Sequence, residues 1–414
     1  MTNRLTRREL LRGAALSAGA LIRFPDSPLD ISAQAVSATT VRILFLPRGS
    51  TNANPFPDDG ALVQAQWPSL HMAKADRHAS TGLEVDVARD LTVRVWSKTH
   101  LVQELRADTT SGALSFRLGR GPLLGLGEGG PQFDRRGSID EMKSGQDGYR
   151  LRTHGGRVPI QWIVGTDGWG LYIHHPLGTF DLTGNVGRFS AAPLAPIDLF
   201  VVASNDPETI LREYAAITGF AELPARWTFG YMQSHRTLAG LAEVLGVAHT
   251  FREKNLPCDA LIYLGTEFTP SGWNTRNGEF TWHPSNFPDP KAAIDALHAM
   301  HYKVVLHTVI EGQSLTGSVS DSCMHEEPSG RDQDDRWPEH RTVGCYWPHH
   351  KGVFDAGIDG WWPDQGDGLD AASRLTRIRM YWEGSQRWRP NERPFALHRN
   401  GYAGMQRYGA FLWS

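Results

Sequence analysis

The chain has little cysteine, no long apolar run and almost no excess charge of either sign, and each shortage removes a class of protein. Its 414 residues include three cysteines, Cys258, Cys323 and Cys345. An odd count at wide spacing is no disulfide framework. Cys323 with His325 and Cys345 with His349 match no standard zinc spacing, although Cys323 and Cys345 could form one bridge outside the cytoplasm. No run reaches the roughly 18 apolar residues that a membrane-spanning helix needs. The 42 Lys and Arg against 45 Asp and Glu give a net charge of −3. That balance excludes the basic surface on which nucleic-acid binding depends.

What is present describes a folded, loop-rich protein. Hydrophobic residues make up 40% and charged residues 21% of the chain, with 43 Gly and 25 Pro, a composition that is neither disordered nor a membrane bundle. The length allows two or three domains, or one small domain and one large barrel. Fourteen Trp stand beside 17 Phe and 10 Tyr. Indole rings stack well on sugars, but ordinary core packing accounts for most of them.

Residues 1–35 read as an export address. Arg7-Arg8 followed by Leu10-Leu11 resembles a bacterial twin-arginine signal. A short apolar stretch from Gly13 to Ile22 leads to Ala33-Gln34-Ala35, a small-x-small pattern suited to cleavage. The protein is therefore expected to work outside the inner membrane, in the periplasm or beyond.

From about Val36 to Phe220 the hydrophobic period is that of strands. Val41–Leu46, Leu91–Trp96, Leu114–Leu118, Leu171–His174 and Asp198–Val202 are short β-type runs separated by Gly, Asp and Pro, which predicts an N-terminal β-sandwich over 36–220. At Asp206-Pro207 the period changes, with Asp206 placed to cap a helix that opens on Pro207. Beyond Pro224 strands and helices alternate. Strands are expected at Trp227–Gln233, Asp259–Leu264, Lys303–Ile310, Ile358–Pro363, Pro394–Leu397 and Ala410–Trp413. Helices fall between them at Leu238–Phe251 and after Asp289-Pro290. Such alternation means a parallel sheet, open or closed into a (β/α) barrel, here over 221–414 with a polar insertion near 311–340.

Barrels of this kind work at the C-terminal ends of their strands. Those positions hold Gln233–Arg236, Gly265-Thr266-Glu267, Glu311, Asp364–Asp367, His398-Arg399 and Trp413-Ser414. The most informative is Gly357–Asp364, a short apolar strand that ends in a carboxylate beside Trp361 and Trp362. A partly shielded carboxylate there suits attack on an anomeric carbon; capping of a following helix is the plainer alternative.

Four segments, in order, resemble glycoside hydrolase family 31, the retaining α-glycosidases. They are Gly125–Glu128 with Asp134–Gly137, Leu223–Ser234, Gly357–Asp364, and Arg399–Tyr408 running into Trp413-Ser414. The resemblance implies an N-terminal β-sandwich, a (β/α)8 barrel and double-displacement chemistry on a carbohydrate substrate. It implies that Asp364 is the nucleophile, that Asp367 supports it where the family usually has Glu, that Arg399 contacts the sugar and that Trp413 lines the cleavage subsite. No cofactor or metal is expected, since two carboxyls suffice. The oligomeric state is open.

Two departures accompany the resemblance. The family usually has an aspartate after the second barrel strand, where this chain has Leu264-Gly265, with Glu267 the nearest carboxylate. Plain α-glucosidase specificity is therefore not expected, and an α-galactoside, an α-xyloside or another sugar is open. The family's general acid/base lies two residues beyond Trp-Ser, the point at which this sequence stops. The expectation is thus a barrel of about six strands belonging to a longer enzyme, nearly inactive as it stands. A sugar-binding protein without catalysis and a transglycosylase on the same site are the rival readings.

Overall fold

The computed structural model describes residues 21–25, 27–49, 59–64, 67–70, 82–108, 110–111, 113–143, 157–191, 196–235, 238–265, 272–274, 280–309, 347–364 and 371–413. The Arg7-Arg8 pair, Cys323, Cys345, Glu267, Glu311, Asp367, Ser414 and the insertion near 311–340 lie outside the described residues.

The N-terminal half is a stack of two antiparallel sheets. Its strands are β1 (Leu29–Ala35), β2 (Thr40–Pro47), β3 (Leu83–Val87), β4 (Thr92–Ser97), β5 (His100–Asp108), β6 (Ala113–Arg117) and β7 (Leu123–Glu128). They continue with β8 (Ile139–Glu141), β9 (Val158–Gly165), β10 (Trp169–Ile173), β11 (Thr179–Asp181), β12 (Val186–Ser190) and β13 (Ile197–Ala203). One sheet has the order β1-β2-β13-β10-β9-β7, the other β3-β4-β5-β6-β12-β11-β8. Between them lies a core that includes Ile31, Ile43, Val93, Leu105, Phe116, Trp169 and Leu199.

The two sheets differ in what covers their outer faces. β12 alternates exposed and buried residues, as a strand with one face in water should. By contrast β10 is buried along its whole length, and β2 along all but its last residue. The outer face of their sheet carries Tyr172 of β10 and Phe200 and Val202 of β13 into a further cluster with Ile210 and Ile217 of helix α1 (Pro207–Thr218) and with Ala371, Tyr402 and Ala403 of the C-terminal half. Asp206 caps α1 as the sequence suggests, accepting hydrogen bonds from the amides of Glu208 and Thr209.

One expectation is corrected at the N-terminal side. Leu29–Ala35, expected to belong to an export address, is strand β1, paired antiparallel with β2 from Leu29↔Pro47 to Ala35↔Val41. Ile31 and Ala33 point into the sandwich core, while the Gln34 side-chain oxygen accepts from the Arg42 guanidinium at 3.2 Å. The small side chain of Ala33 fits an inner face, which is why the same residues pass for a cleavage pattern.

The C-terminal half is one sheet of six parallel strands in sequence order among the described residues. These are β14 (Met232–His235), β15 (Ala260–Tyr263), β16 (Lys303–Val309), β17 (Gly360–Asp364), β18 (Ala396–His398) and β19 (Ala410–Leu412). The helices are α2 (Leu241–Glu253), α3 (Pro290–Ala299), α4 (Pro348–Asp355) and α5 (Ala371–Trp388). The first strand begins later than expected, since Arg226–Phe229 forms a 3₁₀ turn that precedes it.

Successive residues of these strands face opposite sides, and the sides are chemically distinct. Leu261, Tyr263, Leu306 and Trp361 pack outward against the helices through Val244, Ile294, Phe354 and Tyr381. Ala260, Ile262, Leu264, Val305 and Trp362 face the other way, with Phe395, Phe411 and Trp413. Asp359, just before β17, accepts from Lys303 Nζ at 2.7 Å and from the Val304 amide at 2.9 Å, fixing the register of β17 on β16.

Candidate active site

The inward row of β17 ends at Asp364. In register with it runs β16, whose His307 pairs with Trp362 and Val309 with Asp364. Parallel neighbours in register point the same way, so His307 and Asp364 rise from one face. His307 Nε2 lies 3.0 Å from Asp364 Oδ2, and its ring meets that of Trp362 edge to face at 5.0 Å. An ionised carboxylate only accepts hydrogen bonds, so Nε2 carries the hydrogen.

The other oxygen of Asp364 faces β18. Arg399, directly after that strand, donates from Nη1 to Asp364 Oδ1 at 3.3 Å. Side-chain exposure falls from 18% at Arg399 to 9% at Asp364 and to 0% at His307. The carboxylate is therefore sheltered on the His307 side and approached from the Arg399 side. Trp413 stacks edge to face on Trp362 at 4.8 Å, and its amide donates to the His398 carbonyl at 3.1 Å. The structure thus brings Asp364, Arg399 and Trp413 to neighbouring strand ends, whereas Asp367 falls outside the described residues.

Behind the site stands a shell of buried polar side chains. Arg377 of α5, fully buried, donates to the Asp364 carbonyl at 3.4 Å and to Asn400 Oδ1 at 3.1 Å. Tyr381 on the same helix meets Thr308 Oγ1 at 3.1 Å and His350 Nε2 at 2.9 Å. Burial raises the Tyr381 phenol above its ordinary range, only partly offset by Thr308. His398 is pushed well below the usual imidazole value, first by burial and then by the charge of Arg377. It therefore stays neutral.

His307 is the residue that sequence reasoning missed. Within Lys303–Val309 a lone His in an apolar strand reads as core, and only its inward phase, shared with Val305, separates the two possibilities. Its backbone is held as firmly as its ring, since Trp273 Nε1 donates to the His307 carbonyl at 2.8 Å. Gly265 makes room for that indole: a Cβ there would lie 2.6 Å from Trp273 Cδ1. Among the described residues no group of three His, Cys, Asp or Glu could hold a metal ion.

The sandwich reaches this region from the side. Tyr402 and Ala403, just beyond Arg399, pack on Val158, Ile160 and Trp162. Val158 is in register with Glu128 of the Gly125–Glu128 segment, and Gly401 sits where a Cβ would be 3.5 Å from it. Arg407 donates to the Gly60 carbonyl, and Gln406 to the Gly219 carbonyl at 2.7 Å.

Residues 221–414 match the glycosyl hydrolases family 31 TIM-barrel domain. The barrel belongs to glycosyl hydrolase family 31. An α-xylosidase of Saccharolobus solfataricus is 25% identical over 301 residues, 62% of this chain and 38% of that protein. The neutral alpha-glucosidase AB of Homo sapiens is 35% identical over 109 residues, 26% of this chain and 11% of that protein. In three dimensions, a family 31 dextranase of Flavobacterium johnsoniae overlays 94% of this chain on 54% of its own length, with a TM-score of 0.77 and 19% identity. A xylosidase of Aspergillus niger gives 0.73 at 15% identity, covering 94% of this chain and 66% of that one. The chain spans well under half of that α-xylosidase and about half of that dextranase.

Proposed function

We propose that the protein is a retaining α-glycosidase with Asp364 as its nucleophile. The observation that carries the reading is a carboxylate at the C-terminal end of an inner barrel strand, 3.3 Å from an arginine on the open side, in a barrel of family 31. Asp364 attacks the anomeric carbon, the bond to the leaving oxygen breaks, and a glycosyl ester forms. Water then adds to the same carbon and releases the carboxylate, with net retention. Arg399 is placed to contact the sugar while it shares the carboxylate charge. Trp413 and Trp362 supply an apolar floor.

The barrel is read as a (β/α)8 barrel, of which six parallel strands are described. The general acid is assigned to no described residue, so the test uses a leaving group that departs without protonation. Wild-type protein incubated with a 5-fluoro-α-xylosyl or 5-fluoro-α-glucosyl fluoride is expected to gain one glycosyl mass, located by peptide mapping on Asp364. Asp364→Asn is expected to gain none. A glycosyl adduct that persists in Asp364→Asn would refute the assignment. Whichever fluoride labels faster identifies the sugar, a point on which the relatives differ, one being an α-xylosidase and another an α-glucosidase.

Export through a twin-arginine signal is part of the same proposal, supported by Arg7-Arg8 and Leu10-Leu11 in the sequence. The signal would end before Leu29, because β1 belongs to the sandwich. Fractionation of the producing cells, with Arg7→Lys/Arg8→Lys as the control, tests it; protein exported equally by the double variant would overturn it.

A further inference from the structure

We propose that His307 is a positioning residue that decides which oxygen of Asp364 attacks the sugar. The inference deepens the proposed glycosidase reading and rests on it. A carboxylate rotates about its last bond between two equivalent orientations, so either oxygen of a free aspartate can face the substrate. Here the two oxygens have different neighbours. Oδ2 accepts from His307 Nε2 at 3.0 Å, on the side where the imidazole is 0% exposed. Oδ1 accepts from Arg399, which is 18% exposed, at 3.3 Å. The sheltered oxygen is therefore the spectator and the Arg399-side oxygen the attacking one.

The donor is held from three directions, which makes it suited to orienting rather than merely filling space. Trp362 meets the imidazole edge to face at 5.0 Å. The strand beneath it is pinned by the 2.8 Å bond from Trp273 Nε1 to the His307 carbonyl. Thr308, the next residue, is tied to Tyr381 of α5 at 3.1 Å. A rigid donor on the spectator oxygen keeps the carboxylate plane fixed while the other oxygen forms its bond. A small misplacement of a nucleophile is enough to lose much of the rate. As the ester forms, Oδ2 becomes its carbonyl oxygen and continues to accept from Nε2.

The test is the rate of covalent labelling by the same 5-fluoro glycosyl fluoride, resolved into the maximal labelling rate and the half-saturating concentration. His307→Phe keeps the ring and removes the donor. His307→Gln places an amide nitrogen near the reach of Nε2, and His307→Asn places one too short to reach Oδ2. The maximal rate is expected to fall roughly ten- to a hundredfold in His307→Phe and His307→Asn, the range of one lost charge-assisted hydrogen bond. The half-saturating concentration should stay within about twofold, since the sugar itself is bound as before. His307→Gln should recover most of the rate. If His307→Phe fails to fold, the Gln and Asn pair still separates reach from polarity. Wild-type labelling rates in His307→Phe or His307→Asn would overturn the proposal. So would His307→Gln as slow as His307→Asn, which would make ring packing the cause. A wild-type protein that is never labelled would instead overturn the glycosidase reading beneath it.

Discussion

Among the described residues, arginine, aspartate and histidine come together in each half of the molecule, and the two clusters differ in how far they are enclosed. In the sandwich, Arg42 grips Asp198 with two parallel hydrogen bonds, Nε to Oδ1 at 2.7 Å and Nη2 to Oδ2 at 2.6 Å. His174 bridges Asp198 at 2.9 Å through Nδ1 and Asp59 at 3.0 Å through Nε2. The side chains of Arg42 and Asp198 are 1% and 0% exposed. In the barrel, Arg399 meets Asp364 through a longer contact, and the arginine faces the open side. A carboxylate clamped on both oxygens in a dry interior stabilises a fold only through its partners. Asp364 is also bonded on both oxygens, by His307 at 3.0 Å and by Arg399 at 3.3 Å, but it lies beside an arginine that is 18% exposed. The same three residue types thus form a fully enclosed cluster in one half and a partly open one in the other.

Removing the acid in each cluster should break the symmetry between them most clearly. Asp364→Asn is expected to abolish covalent labelling, a loss on the order of 10⁴-fold or more for a nucleophile, while the thermal melting temperature stays near that of wild type. A melting temperature that collapses along with the labelling would show that Asp364 is structural as well. Asp198→Ala should behave in the reverse manner. It leaves Arg42 and His174 buried without their shared acid, at a cost of about 3–5 kcal/mol, read from urea denaturation. Whatever folded protein remains should still label at Asp364. A change within experimental error would mean that water replaces the carboxylate.

A smaller effect distinguishes the two acids around His174. Burial alone would lower this imidazole, but the charge of Asp59 and the hydrogen bonds that His174 donates to Asp198 and Asp59 outweigh it and raise the pKa to about 10. A group whose folded pKa lies above its unfolded value stabilises the fold below the unfolded pKa and loses that contribution as pH rises. The His174 contribution is therefore complete below about pH 6.5 and declines as pH rises towards 10. Asp59→Asn should flatten this decline, seen as a smaller difference in denaturation midpoint between mildly acidic and alkaline buffers. Equal slopes for variant and wild type would place the proton elsewhere. Smallest of all should be Lys291→Ala. Its exposed pair with Asp295, 2.7 Å apart on α3, is the surface counterpart of both clusters and contributes at most about 0.5 kcal/mol.

Where side chains follow one rule per element, the sequence was readable. Alternation in Leu114–Leu118 and the Asp206-Pro207 start of α1 both match the structure, because a half-buried strand and a capped helix each leave a local signature. Helix α5 left none that could be read. Its buried face includes Arg374 and Arg377, charges that dilute the apolar period, and Arg377 belongs to the shell behind Asp364. The Trp227 region misled for a related reason: Trp227 packs against the inner cluster from a 3₁₀ turn, so its burial resembles that of a strand residue. Asp364, Arg399 and Trp413 stand at strand ends, as the alternation of strands and helices suggests, but the roles given to Arg399 and Trp413 come from the family resemblance alone. His307 was not legible, because its significance depends on β16 lying beside β17 in a register that no local pattern reveals.

The packing of Tyr402 and Ala403 against Val158, Ile160 and Trp162 bears on how such a protein can be taken apart. The turn that carries Arg399 is shaped on one side by its own barrel and on the other by the sandwich, which acts as a jig. A barrel excised at residue 221 would bare Tyr402 and Ala403, buried in the whole chain, to water and release the turn next to the candidate site. A sandwich exchanged for one from a distant relative would reset the same turn. The two halves are separate in topology yet share a packed seam, and shuffling between relatives should preserve the geometry around Arg399 only when the seam travels with the barrel.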